Sequence, residues 1–426
     1  MKTILVAPLM FFAIGCKAAA QAPPVTTPPT FGFSLPSVEG TLTYSLSASE
    51  SFFTGYNDSG LNTTTSLSGS LGYLSSSPNK PFSLVYSGGY LYSTVPGYPG
   101  SSTFQNLAAS QVVTTKNWNF VVDDAVSYLP EAPTTGLSGI PGVGDIGVVS
   151  VPIGDEPAQS ILTGYNVRLG NGVNGGATRR INASWSANGS ASWQILHFFG
   201  NGGINSSEET GSVGPSYRID ARSSASANVT YSYTNDTYLG TSYPFEAEGI
   251  SLQYQRQVSR FFTVSVTGGP QRTSGSGSTS SLIPSSITGV GTATLTYSRR
   301  ATSANIGFAR ATNSGSGVVI GALTDTIVGS LRQQFSRNWQ AALTASYSQS
   351  SSLANIAVAG NDFHSTYGGA QVSRRLGREF SAYLSYTAAN QTESGQAVGQ
   401  AAFNGLTQVF AVGITYSPSA FHLGKF

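Results

Sequence analysis

From Glu39 onward, apolar and polar residues alternate along the chain, and the period is two. The clearest case is Ile327 to Tyr347. After the polar turn Ser336-Arg337-Asn338, Trp339, Ala341, Leu343, Ala345 and Tyr347 share one face, and Gln340, Ala342, Thr344, Ser346 and Ser348 share the other. Before the turn, Ile327, Gly329 and Leu331 alternate with Thr326, Ser330, Arg332 and Gln334. This is the pattern of strands with one apolar and one polar face. The same hairpin recurs at Tyr254 to Val266 and Val372 to Tyr386, and more loosely at Leu107 to Tyr128. No helical period breaks the series before Tyr416.

Turn clusters of Gly, Asn, Ser and Pro divide residues 39–417 into about 18 strands, or 16 to 18, because two segments are weak. One weak segment lies near 171–178. The other, 208–219, contains Pro215, which cannot donate to a ladder. Connections alternate between very short and longer. The short ones carry Lys116, Arg179, Arg180, Arg222, Arg260, Arg299, Arg300, Arg337 and Arg378. The longer ones are acidic or neutral, with Asp58, Glu131, Asp145, Asp155, Glu156, Glu208, Glu209, Asp236, Asp362 and Glu393. The longest, 130–170, holds five prolines and several glycines and is predicted to be a loop.

Composition changes what these strands can build. Only 9% of the 426 residues are charged, against about a quarter in soluble domains. No stretch beyond the N-terminus approaches the roughly 20 apolar residues of a spanning helix. Alternating strands reconcile the two observations, since membrane barrels escape hydropathy scans. A net charge of +2 without a long basic run gives no footing for nucleic acid. Residues 1–22 read as a signal peptide, with Lys2, an apolar core and Ala18-Ala19-Ala20 before the cut. Cys16, the single cysteine, follows a loose lipobox and is a candidate for lipidation. Residues 23–38 read as a Pro-rich linker, 39–417 as the barrel, and 418–426 as a C-terminal periplasmic tail.

In lipid the strands must close on themselves to satisfy their backbone groups. The expected fold is a closed antiparallel transmembrane β-barrel, with its apolar face to lipid and its polar face to a wet lumen. Aromatic residues beside the turns fit interfacial belts. Phe262, Trp339 and Phe380 mark the inner belt, and Tyr92, Tyr128 and Tyr347 the outer one. In Asp123-Asp124 one carboxylate must face outward, and a bulge, an interfacial position or a subunit contact would each accommodate it. The interfacial position is the favoured one, and a homo-oligomer stays open.

After residue 38 the chain resembles bacterial outer-membrane barrels of the porin type in architecture, without a shared motif. The resemblance implies an integral outer-membrane location, insertion by the barrel-assembly machinery, and lipid around the wall. It also implies that the third outward connection, 130–170, enters the lumen. Glu131, Asp145, Asp155 and Glu156 would then face Arg256 and Arg332 across the pore. The expected function is passive diffusion of small polar solutes. Alternatives are a conduit for an exported acidic polysaccharide, or a structural or adhesive surface barrel. Catalysis is not expected, since His197, His364 and His422 lie apart with no nucleophile or metal-ligand spacing around them. No cofactor or metal is called for.

Overall fold

In the computed structural model, residues 39–55, 61–94, 100–130, 167–200, 203–354, 362–394 and 404–424 are described. They form one antiparallel sheet whose strands follow each other in chain order. The strands are β1 (Gly40–Thr54), β2 (Asn62–Ser75), β3 (Phe82–Ser93), β4 (Ser101–Thr114), β5 (Trp118–Pro130), β6 (Val167–Arg180), β7 (Trp185–Phe198), β8 (Asn205–Arg218) and β9 (Ser223–Tyr238). They continue as β10 (Thr241–Gln257), β11 (Phe262–Gly275), β12 (Ser286–Arg299), β13 (Thr302–Asn313), β14 (Ala322–Gln334), β15 (Trp339–Ser352), β16 (Asp362–Arg375), β17 (Phe380–Ser394) and β18 (Gly405–Tyr416). β18 pairs back on β1, Phe52 opposite Phe410, so the 18 strands close into a barrel. Each of these 18 strands is paired on both sides, which is how a sheet of this size escapes edge-to-edge aggregation. A short β19 (Phe421–Leu423), in the tail, pairs with the start of β1.

Both weak segments are full strands. β8 runs unbroken against β7, Pro215 opposite Ala187. Its pairing with β9 passes from Val213–Val229 to Ser216–Ser226, omitting Gly214 and Pro215. The missing donor therefore falls where the ladder is already open. Gly214 belongs to the same device, because a Cβ there would lie 1.9 Å from the Ala227 carbonyl oxygen.

One turn design recurs at the short-connection end. The backbone N–H groups of Thr115, Ile181, Ser259, Phe335 and Leu376 donate to the carbonyls of Trp118, Trp185, Phe262, Trp339 and Phe380. A polar side chain then accepts from the turn backbone. Asn182 Oδ1 takes the N–H of Ser184 and Trp185, and Ser336 Oγ takes those of Asn338 and Trp339. Such side chains mimic a backbone acceptor and fix the turn. At Asp220 the Arg222 N–H donates to the carboxylate and holds it below the usual aspartate range, with Ser223 adding to the effect.

The barrel is inside out relative to a soluble protein. Leu46, Leu67, Ile250, Leu252, Ile306 and Leu343 are all at least half exposed on the outer face. On the inner face Ser348 and Ser350 are only 1% exposed, beside buried Ser346, Thr324, Ser365 and Gln391. Inner hydroxyls and amides bond to each other, as in Thr324–Ser350 at 3.0 Å and Ser365–Gln391 at 2.6 Å. Ser346 was expected to be wet, but it points inward and is covered.

Asp124 answers the question posed by Asp123-Asp124. The β4–β5 and β5–β6 ladders run without a bulge. Asp124 shares the outward face with Phe120 and Val122 and lies midway along β5, so the interfacial placement does not hold. The carboxylate is offset by Asn171, whose Nδ2 donates to Asp124 Oδ1 at 2.8 Å and also to the Ala125 carbonyl. Asp124→Asn keeps an acceptor for Asn171 and removes the charge. It is expected to stabilise the folded barrel by about 1 kcal/mol in lipid, read as a higher urea midpoint for vesicle-embedded protein. A lower midpoint would mean that the charge is used.

Candidate functional site

The β13–β14 connection turns into the barrel. Val318, Val319 and Ile320 in it are at most 2% exposed. Val318 and Val319 pack with Ala322 and Phe363, while Ile320 packs with Ile204, Phe245, Ile283 and Ala354. These partners come from β10, β14, β16 and the β7–β8, β11–β12 and β15–β16 connections. A segment that touches such separated parts of the wall runs across the inside of the mouth.

Backbone hydrogen bonds pin it. Ile204 N–H donates to the Gly317 carbonyl at 2.9 Å, and Leu353 N–H donates to the Gly321 carbonyl at 3.0 Å. Gly321 N–H donates to Asp236 Oδ2 at 2.9 Å. Asp236 is fully buried, and its Oδ1 has no hydrogen-bond partner among the described residues. Gly317 is required twice over. Its φ of +80° lies in the left-handed region, and a Cβ would come within 2.3 Å of the Phe198 ring. Each buried Val or Ile side chain contributes about 1.5–3 kcal/mol to docking this segment. Among the described residues, the long-connection end of the barrel is therefore narrowed by a fixed apolar bar.

The other end differs. Near the short turns of β14 to β18 the inner wall forms an open cleft of about 270 Å³. Arg332, Arg337, Arg375 and Arg378 line it against one acid, Glu379, together with Gln340, Ser381, Tyr383 and Thr415. Arg332 Nη2 donates to Gln340 Oε1 at 3.0 Å, which aims the guanidinium along the wall. Four cations against one carboxylate give this mouth a positive field.

The expected pore residues separate into three groups. Arg332 faces inward and lines the cleft. Arg256 does not: it follows Ile250, Leu252 and Tyr254 on the outward face of β10, so it cannot line the lumen. Glu131, Asp145, Asp155 and Glu156 lie outside the described residues, as do Cys16 and the leader. Tyr92, Phe262, Trp339, Tyr347 and Phe380 all lie on the outer surface, 40–55% exposed, and Tyr128 shares the outward face of β5 with Phe120 and Val122. Near the short turns aromatic rings touch across strands: Trp185–Tyr217 and Phe262–Tyr297 at 4.8 Å, and Phe380–Tyr416 at 5.1 Å. Among the histidines, His364 Nδ1 lies 2.9 Å from the Tyr347 hydroxyl and His422 is on β19. No group of three potential metal ligands occurs among the described residues.

No known protein family matches the chain, and no curated protein does. Among solved structures it is similar to OccK2 (OpdF) of Pseudomonas aeruginosa, at 11% identity over 90% of this chain and 98% of that one, with a TM-score of 0.43. It is similar to OccAB4 of Acinetobacter baumannii, at 10% identity over 90% and 98%, with a TM-score of 0.44. It is also similar to Pseudomonas aeruginosa OpdK, solved with vanillate, at 8% identity over 89% and 99%, with a TM-score of 0.42.

Proposed function

We propose that the chain is an integral channel of the bacterial outer membrane that passes small polar solutes. The observation that carries this reading is the inversion of its faces: an apolar exterior around a polar interior. Strands of 12 to 17 residues exceed the roughly 9–11 tilted residues that cross a bilayer. A barrel of 18 strands encloses an aqueous lumen. The bar at the outer mouth then limits solute size, and the arginine cleft at the inner mouth favours anions among the solutes that pass. The basic inner mouth also suits an exported acidic polymer. The pinned bar counts against that second reading, because a polymer chain would have to displace it.

Planar bilayers test the proposal. Purified protein is expected to give discrete channels whose reversal potential in a KCl gradient shows anion preference. Arg332→Gln with Arg375→Gln should move that potential toward the non-selective value. Absence of any conductance from correctly folded protein would instead support a structural or adhesive role.

A further inference from the structure

At the short-turn end of β10 to β12, two guanidinium groups address one ring. Arg260 lies 4.6 Å and Arg299 5.6 Å from the Phe261 ring centre. Elsewhere on this rim the stacking is single: Arg179 over Trp118 at 5.5 Å, and Arg374 over Trp339 at 5.1 Å. Neither Arg260 nor Arg299 forms an ion pair with a carboxylate among the described residues, unlike Arg310, which pairs with Asp325. Two cations held side by side on a ring, without a counter-ion, are suited to an anion that both can contact. Guanidinium forks match phosphate oxygens in pairs.

The surroundings decide what carries the phosphate. Phe261 neighbours Tyr297, whose ring packs on Phe262. From that pair an apolar track leaves the turn along the outward face, Val264 beside Leu295 and then Val266 beside Ala293. Leu295 and Val266 are both exposed. A free phosphate would have no use for this track, whereas acyl chains would lie along it.

We propose that Arg260, Arg299 and Phe261 form a site for the phosphate of an anionic phospholipid in the periplasmic leaflet. The acyl chains rest on Val264, Leu295 and Val266. The site rests on the reading of the chain as a membrane barrel.

The test is native mass spectrometry of the full chain released from bilayer discs of phosphatidylcholine and phosphatidylglycerol. Wild-type protein is expected to retain phosphatidylglycerol over phosphatidylcholine. Arg260→Gln with Arg299→Gln should lower that retention about thirtyfold, in keeping with the attraction of two arginines to anionic lipid. Phe261→Leu keeps both charges and should cause a smaller loss. Arg337→Gln, in the inner cleft, should cause none. Retention unchanged in the double variant, or lowered equally by Arg337→Gln, would overturn the site while leaving the barrel reading intact. Displacement of the lipid by inorganic phosphate alone would overturn its lipid character. Failure of folded wild-type protein to enter the discs would overturn the membrane reading and the site together.

Discussion

Removing residues 315–320 is expected to raise single-channel conductance severalfold, because the bar across the outer mouth is the narrowing feature among the described residues. The six residues include Val318, Val319 and Ile320, each almost fully buried against the wall. A barrel of this strand number without an inserted segment leaves a wide aqueous passage. Point variants should reach part of the same result by undocking the bar. Gly317→Val would place its side chain in the Phe198 ring. Asp236→Ala would strand the buried Gly321 N–H, at a cost of about 1–3 kcal/mol. Both are expected to give noisy channels that open toward the deletion level, with the barrel itself still heat-modifiable on gels. Unchanged conductance in the deletion would place the limiting constriction elsewhere.

The second large effect separates the two faces of β15 by one residue. Leu343 points outward and is half exposed, and Thr344, its chain neighbour, points inward. Leu343→Arg is expected to cost about 2–4 kcal/mol in a bilayer, the penalty for a basic residue on the lipid face near mid-depth. Thr344→Arg should cost far less, since its charge enters a polar interior, and should shift ion selectivity instead. Urea titration in lipid vesicles, paired with conductance, reads both effects. Equal costs at the two positions would mean that both faces meet water.

The wall was legible in the sequence because its determinants are local. Period two sets the face of every residue, so Trp339, Leu343 and Tyr347 could be placed outward from parity alone. Parity also places Arg256 with Leu252 and Tyr254, against its assignment to the pore. The weak strand at 208–219 was underrated for a different reason: Pro215 costs little when the partner ladder opens at the same point. Asp124 could be assigned to the outward face, but not its offset, because Asn171 lies on a strand reached only after a long connection. The bar at the outer mouth was missed. Its signal, the apolar run Val318-Val319-Ile320 between Gly317 and Gly321 in an otherwise polar connection, was readable as a segment that seeks cover. Its partners were not readable, because Ile204, Phe245, Ile283 and Phe363 are far apart in the chain and meet it only when the barrel closes.

The most direct test of a barrel with lipid outside and water within is a fluorophore scan along β15. With Cys16 replaced by Ser, single cysteines at 341, 343, 345 and 347 alternate with single cysteines at 340, 342, 344 and 346, each labelled and reconstituted. The odd positions are expected to be quenched by brominated acyl chains, and the even ones to be spared. Quenching without alternation, or strongest at the even positions, would contradict the barrel as a membrane wall.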